Sequence, residues 1–144
     1  MRDHISSIPT IIKVYHGTRD PNLVLTNEPL YGAIEYDVAE SYARHRSMGG
    51  TPCVYTLEFM ITKLASDEDI RNIVEKVGGT EDELMAAVAT ENIEVVTALI
   101  QQGFDGGFAW DFGFRGDFDE VQVYFVFDAK KSARILDKQM IRCD

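Results

Sequence analysis

Strand-forming residues crowd the two ends of this 144-residue chain, and the stretch between them carries helical spacing instead. Strands so distributed can share a sheet only if the beginning of the chain meets its end. The pattern therefore favours an α+β domain, with mixed or antiparallel sheets and a helical insert at about 66–102, over a doubly wound parallel sheet.

The first zone, residues 11–60, reads strand, loop, helix, strand. Ile11-Ile12-Lys13-Val14-Tyr15-His16 is rich in β-branched residues and runs into Gly17. Its alternation puts Ile12, Val14 and His16 on one face and Ile11, Lys13 and Tyr15 on the other. Arg19-Asp20-Pro21-Asn22 has turn chemistry, and a second turn surrounds Asn27-Glu28-Pro29. Asp37 is the expected N-cap of a helix whose Val38, Ala39, Tyr42 and Ala43 recur at helical spacing, with Gly49-Gly50 as its stop. Cys53 to Met60 is the next strand.

The second zone reads as wholly helical. Ser66 with Asp69 forms a variant capping box, Thr80 with Glu83 fits the usual one, and Thr90 caps a third helix. Ile70, Ile73, Val74 and Val77 make one apolar stripe, Leu84, Met85 and Val88 a second, and Val95, Val96, Leu99 and Ile100 a third. In the third zone, Gly103-Phe104-Asp105-Gly106-Gly107 is a tight segment leading to Phe108-Ala109-Trp110. After a loop from Asp111 to Asp119, Val121, Val123, Phe125 and Phe127 alternate with Glu120, Gln122, Tyr124 and Val126 in a long strand. Ser132 to Leu136 closes the chain as a short strand.

A chain of this length makes one domain, 1–144, able to bury a core without staples. Its 45% hydrophobic and 26% charged residues fit a soluble globular protein, and no apolar run approaches the roughly 20 residues of a membrane span. The first residues lack the apolar core of a secretory signal, so Cys53 and Cys143 are expected as free thiols in the cytoplasm. A net charge of −10, with 14 scattered basic residues, disfavours a nucleic-acid substrate. It suits solubility or docking on a basic protein.

The run Tyr15-His16-Gly17-Thr18 closes the first strand, Tyr31 follows in Leu30-Tyr31-Gly32, and Tyr42 sits in a helix eleven residues later. Gly103-Phe104-Asp105-Gly106 precedes Glu120 and a strand ending in Phe127-Asp128. In this order and spacing the chain resembles the ADP-ribosyltransferase-like fold family, His-Tyr-Glu type, along nearly its whole length. The helical insert is similar to that of small phage anti-CRISPR ADP-ribosyltransferases.

The resemblance implies an enzyme that uses NAD as an ADP-ribose donor. Breaking the nicotinamide–ribose bond builds positive charge on the sugar, as in glycoside hydrolysis. A carboxylate on the ribose 2′-hydroxyl stabilises that charge, and Glu120 is the matched residue. Tyr42 is the expected stacking ring for the cationic nicotinamide and Tyr31 the second wall. Gly17 admits the carboxamide to the backbone, and His16 bonds the adenosine ribose. Tyr15 and Thr18 join these as cofactor-binding residues, with Arg19 or Arg44 as a cation for the pyrophosphate. The implied acceptor is a protein, such as a subunit of a CRISPR surveillance complex in the host cytoplasm, with water as the acceptor of a glycohydrolase alternative. A non-catalytic inhibitor that only binds a partner is the alternative from another class.

The sequence departs from the pattern at two places. Ala39 stands where the polymerase-like relatives carry a carboxamide-binding serine, and Gln122 competes with Glu120 for the catalytic register. Each residue also has an ordinary reading. His16 can be a strand-end residue satisfied by a backbone carbonyl, Tyr31 and Tyr42 half-buried aromatics, and Glu120 a solvated strand-edge charge. The aromatics of residues 110–118 read as packing more readily than as a cofactor box. No metal site is expected: the chain has no His/Cys cluster, and Asp67-Glu68-Asp69 suits a helix start without a metal.

Overall fold

The structure is a computed structural model that describes residues 9–45, 50–77, 92–111 and 121–141. In chain order the elements are β1 (Thr10–Thr18), β2 (Leu30–Ala33), α1 (Tyr36–His45), β3 (Cys53–Ile61), β4 (Leu64–Ala65), α2 (Asp67–Lys76), α3 (Ile93–Gln101), β5 (Gly106–Asp111), β6 (Val121–Val126), α4 (Ala129–Ser132) and β7 (Ala133–Met140). The fold is a mixed α+β one, in which a single seven-stranded sheet runs β4-β5-β6-β2-β1-β3-β7. All its pairs are antiparallel except β4 with β5. None of the helices described is long and apolar enough to cross a membrane.

One joint holds this sheet together. β1 pairs with β3 along its whole length, but with β2 at one position, Tyr15 opposite Ala33. On either side of the joint lies a half-sheet, β4-β5-β6-β2 or β1-β3-β7, each with its own apolar layer. Ile70, Ile73 and Val74 of α2 and Val95 and Leu99 of α3 cover Val123, Phe125 and Phe127 of the first half. In the second half Val14, Tyr55, Leu57, Phe59 and Ile61 pack together and meet Val126 of the first. Each such side chain, fully buried, contributes about 1.5–3 kcal/mol.

Several expectations hold in detail and others shift. Ser66 and Asp69 form the reciprocal box: Asp69 N–H donates to Ser66 Oγ at 3.2 Å and Ser66 N–H to Asp69 Oδ2 at 2.9 Å. Asp37 is inside the first turn of α1 rather than its cap, where a carboxylate still favours the helix dipole. Helix α3 is capped at Asn92, two residues beyond the expected cap Thr90, because the Asn92 side chain accepts from Glu94 and Val95 N–H. Ile100 is 50% exposed instead of core. The last strand is longer than the expected 132–136, and a short helix capped by Asp128 precedes it. Gly78-Gly79, the Thr80–Glu83 box, the Leu84–Val88 stripe, Thr90 itself and Cys143 lie outside the described residues.

Asp105 joins three segments. Its carboxylate accepts from Thr62 N–H at 2.8 Å and from Lys63 N–H at 2.8 Å, closing the turn between β3 and β4. Its backbone takes Phe127 N–H at 3.2 Å and gives its own N–H to the Lys63 carbonyl at 3.2 Å. We expect Asp105→Ala to lower unfolding free energy by about 2 kcal/mol in urea titration, since two amides lose a charged acceptor.

Cys53 and Tyr55 on β3 both have raised pKa values, chiefly through burial. The Tyr55 hydroxyl donates to the Asp20 carbonyl at 2.9 Å and accepts from Leu23 N–H at 2.9 Å, fastening the loop after β1. Because the folded state holds these protons more tightly, its stability is full below the ordinary thiol and phenol values of 9.0 and 10.0 and falls as pH rises through them. Denaturation at increasing alkaline pH should show that decline. Tyr55→Phe should flatten the phenol part, while costing about 1–3 kcal/mol at neutral pH for the two bonds lost.

Candidate functional site

The sheet divides just past its joint, and His16, Tyr31 and Tyr42 meet there. β1 continues beyond Tyr15 along β3 and leaves β2 unpaired with it. The His16 imidazole, 8% exposed, bridges the divergence: Nδ1 lies 2.7 Å from the Tyr31 carbonyl oxygen. A carbonyl only accepts, so Nδ1 carries a proton in this contact. This is the strand-end contact of the ordinary reading, made at the place where the family reading puts its histidine.

The rings form a chain. His16 meets Tyr31 edge-on with centroids 5.4 Å apart, and Tyr31 meets Tyr42 edge-on at 6.0 Å with 66° between planes. Helix α1 carries Tyr42 to this point, and β2 carries Tyr31. A planar ring held between two parallel tyrosines needs about 7 Å, twice a carbon–carbon contact. Here the two rings touch each other edge-on, which leaves no slot for a planar ring between them.

Gly17 sets how closely α1 approaches β1. A Cβ on Gly17 would lie 1.8 Å from the Ala39 carbonyl oxygen and 3.1 Å from Ala43 N. Ala39 and Ala43 are 1% and 0% exposed beneath it. The missing side chain is therefore used up in helix–strand packing. Ala39, where the resemblance would expect a serine, belongs to that same contact.

The remaining expected site residues go elsewhere. Tyr15 is on the opposite strand face from His16, in a cluster with Val54 and Ile141 and edge-on to Tyr36 at 5.5 Å. Thr18 Oγ1 accepts from Asp20 N–H at 3.2 Å. Arg19, read as a cation for phosphate, caps α1 instead: its guanidinium donates to the Ala43 carbonyl at 3.1 Å and the Arg44 carbonyl at 3.2 Å. Arg44 pairs with Glu40 at 3.1 Å. Glu120, with Asp117 and Asp119, lies outside the described residues. Gln122 is described, and its Nε2 donates to the Tyr124 hydroxyl at 3.2 Å. Val123 and Phe125, on the other face of β6, belong to the cluster against which Tyr31 and Tyr42 pack.

The bonds that Asp105 and Arg19 make were not legible in the sequence for one reason. Each works through distant backbone groups, and no spacing rule reveals those. Among the described residues no His, Cys, Asp and Glu group can hold a metal ion.

Replacing Gly17 by alanine should separate α1 from β1 and cost about 3 kcal/mol or more, read by chemical denaturation. Gly103→Ala, at a positive φ of 92° but with only the Lys63 side chain nearby, should cost about 1 kcal/mol. No family model matches this chain, and no curated protein or solved structure is significantly similar to it.

Proposed function

We propose that this chain is an NAD-dependent ADP-ribosyltransferase that modifies a protein, with an ADP-ribosyltransferase-like fold. The observation that carries the reading is the convergence of His16, Tyr31 and Tyr42 at the split in the sheet, from three separate elements. They are the residues that the motif order singles out. A buried imidazole and two half-buried phenol rings make an aromatic, water-poor wall suited to a cationic ring.

In this reading Tyr42 or Tyr31 offers an outer face to nicotinamide, and His16 bonds a ribose hydroxyl of the adenosine half. Glu120 accepts a hydrogen bond from the 2′-hydroxyl of the other ribose, where charge develops as the glycosidic bond stretches. Nicotinamide leaves with the bonding pair, the acceptor's nucleophile attacks the anomeric carbon, and its proton passes to solvent. The acceptor suggested by the resemblance is a subunit of a CRISPR surveillance complex in the host cytoplasm, where a bulky anion would oppose DNA binding.

A second reading, a partner-binding inhibitor without catalysis, has its own support. The two tyrosines touch edge-on, and an alanine packed against Gly17 replaces the carboxamide-binding serine. Labelled NAD separates the readings. Transfer of label to a partner protein, falling about a hundredfold or more in Glu120→Gln, is the result expected of the transferase. Tyr42→Ala should weaken NAD binding by about 2- to 30-fold, the range of a cation–π contact. Free ADP-ribose without labelled partner would make the chain a glycohydrolase. Full inhibitory activity in Glu120→Gln would make it a binder.

A further inference from the structure

A pocket of about 510 Å³ opens where the β3–β4 turn, the end of α3 and the start of α4 come together. It shares no residue with the His16–Tyr31–Tyr42 cluster, and its volume falls in the range of small-molecule sites, about 300–1,000 Å³. We propose that this pocket binds a small organic monoanion with a flat apolar body, such as an aromatic carboxylate.

Three features define the ligand. The walls include Phe127, 5% exposed, with Phe104 and Ile100, so part of the ligand is apolar. Two ammonium groups line the pocket, Lys63 and Lys131, and neither makes an ion pair among the described residues. Lys63 is fixed there by its bond to the Gln102 carbonyl at 2.7 Å and by the Phe104 ring, 4.7 Å from its nitrogen. Both of those partners are neutral.

The third feature is Ser132. This residue is 7% exposed and lines the pocket, and its hydroxyl has no hydrogen-bond partner among the described residues. A buried hydroxyl without a partner is costly, and a ligand oxygen would satisfy it.

The acids at the rim narrow the choice further. Asp105 accepts from the amides of Thr62 and Lys63, and Asp128 from Asn27 and the Lys131 amide. Both acids are thus engaged by the protein, and their charges partly offset the lysines. A dianion such as phosphate therefore gains little, and a single carboxylate on an apolar body gains from both walls and ammonium groups.

Amide chemical shifts of the full chain, titrated with benzoate, benzamide and inorganic phosphate, test this. Benzoate should move Lys63, Phe104, Lys131 and Ser132 saturably, about fivefold or more tighter than benzamide. Lys131→Met, an exposed change, should weaken benzoate about fivefold, and Ser132→Ala should weaken it similarly without lowering stability. Equal affinity for benzamide, phosphate binding as tight as benzoate, unchanged affinity in both variants, or no saturation by about 10 mM would each overturn the proposal. Benzamide is a close mimic of nicotinamide, so affinity is read only from Lys63, Phe104, Lys131 and Ser132, and any shift at His16, Tyr31 or Tyr42 reports on the proposed NAD site instead.

Discussion

The two half-sheets are joined through a pair of residues, Tyr15 and Ala33, and the geometry of the opening beside them follows from how that joint ends. In a continuous ladder the Tyr31 carbonyl would meet an N–H of β1. Here the strands have parted, and the His16 ring supplies the donor at 2.7 Å. A buried carbonyl needs a partner, so the imidazole both satisfies the backbone and keeps the strands apart at a fixed width. Gly17, the next residue, lets α1 press on the same strand from the other side. Two neighbouring residues thus position Tyr31 and Tyr42 relative to one another.

The opposite flank of the joint is tied by charge. Asp105 gathers the amides after β3 while its backbone reaches Phe127 at the end of β6. Those two strands belong to different half-sheets, so one carboxylate fixes their relative placement. Arg19 does comparable work at the end of α1, where its guanidinium takes carbonyls that no helical N–H can reach. The sequence places charges; the fold decides which of them are spent.

Local patterns were legible wherever they depend on neighbours in the chain. The Ser66–Asp69 box, the burial of Ile70, Ile73 and Val74, and the facing of Val14 with His16 all follow from period and cap chemistry. The α+β class was legible as well, because the strands are segregated to the chain ends. Meeting of His16 with Tyr31 and Tyr42 was readable only through motif order, since no local rule brings residues of three elements together. Tyr15 adjoins His16 in sequence but lies on the other strand face, as the alternation implied, against Tyr36. Asn92 displaced Thr90 because its side chain reaches two amides at once.

The margins of the sheet also shape how this molecule meets others of its kind. At one border the outermost strand, β4, is two residues long. At the other, β7 is kinked by an irregular register opposite Thr56 and Leu57 and carries Arg134, Asp137 and Lys138. A bent border studded with ions, and a stub too short to template a ladder, both discourage strand-to-strand stacking of neighbouring copies. Net negative charge adds to that protection on a border where Ile135, Leu136 and Met140 are exposed and a flat apolar rim would favour cross-β pairing.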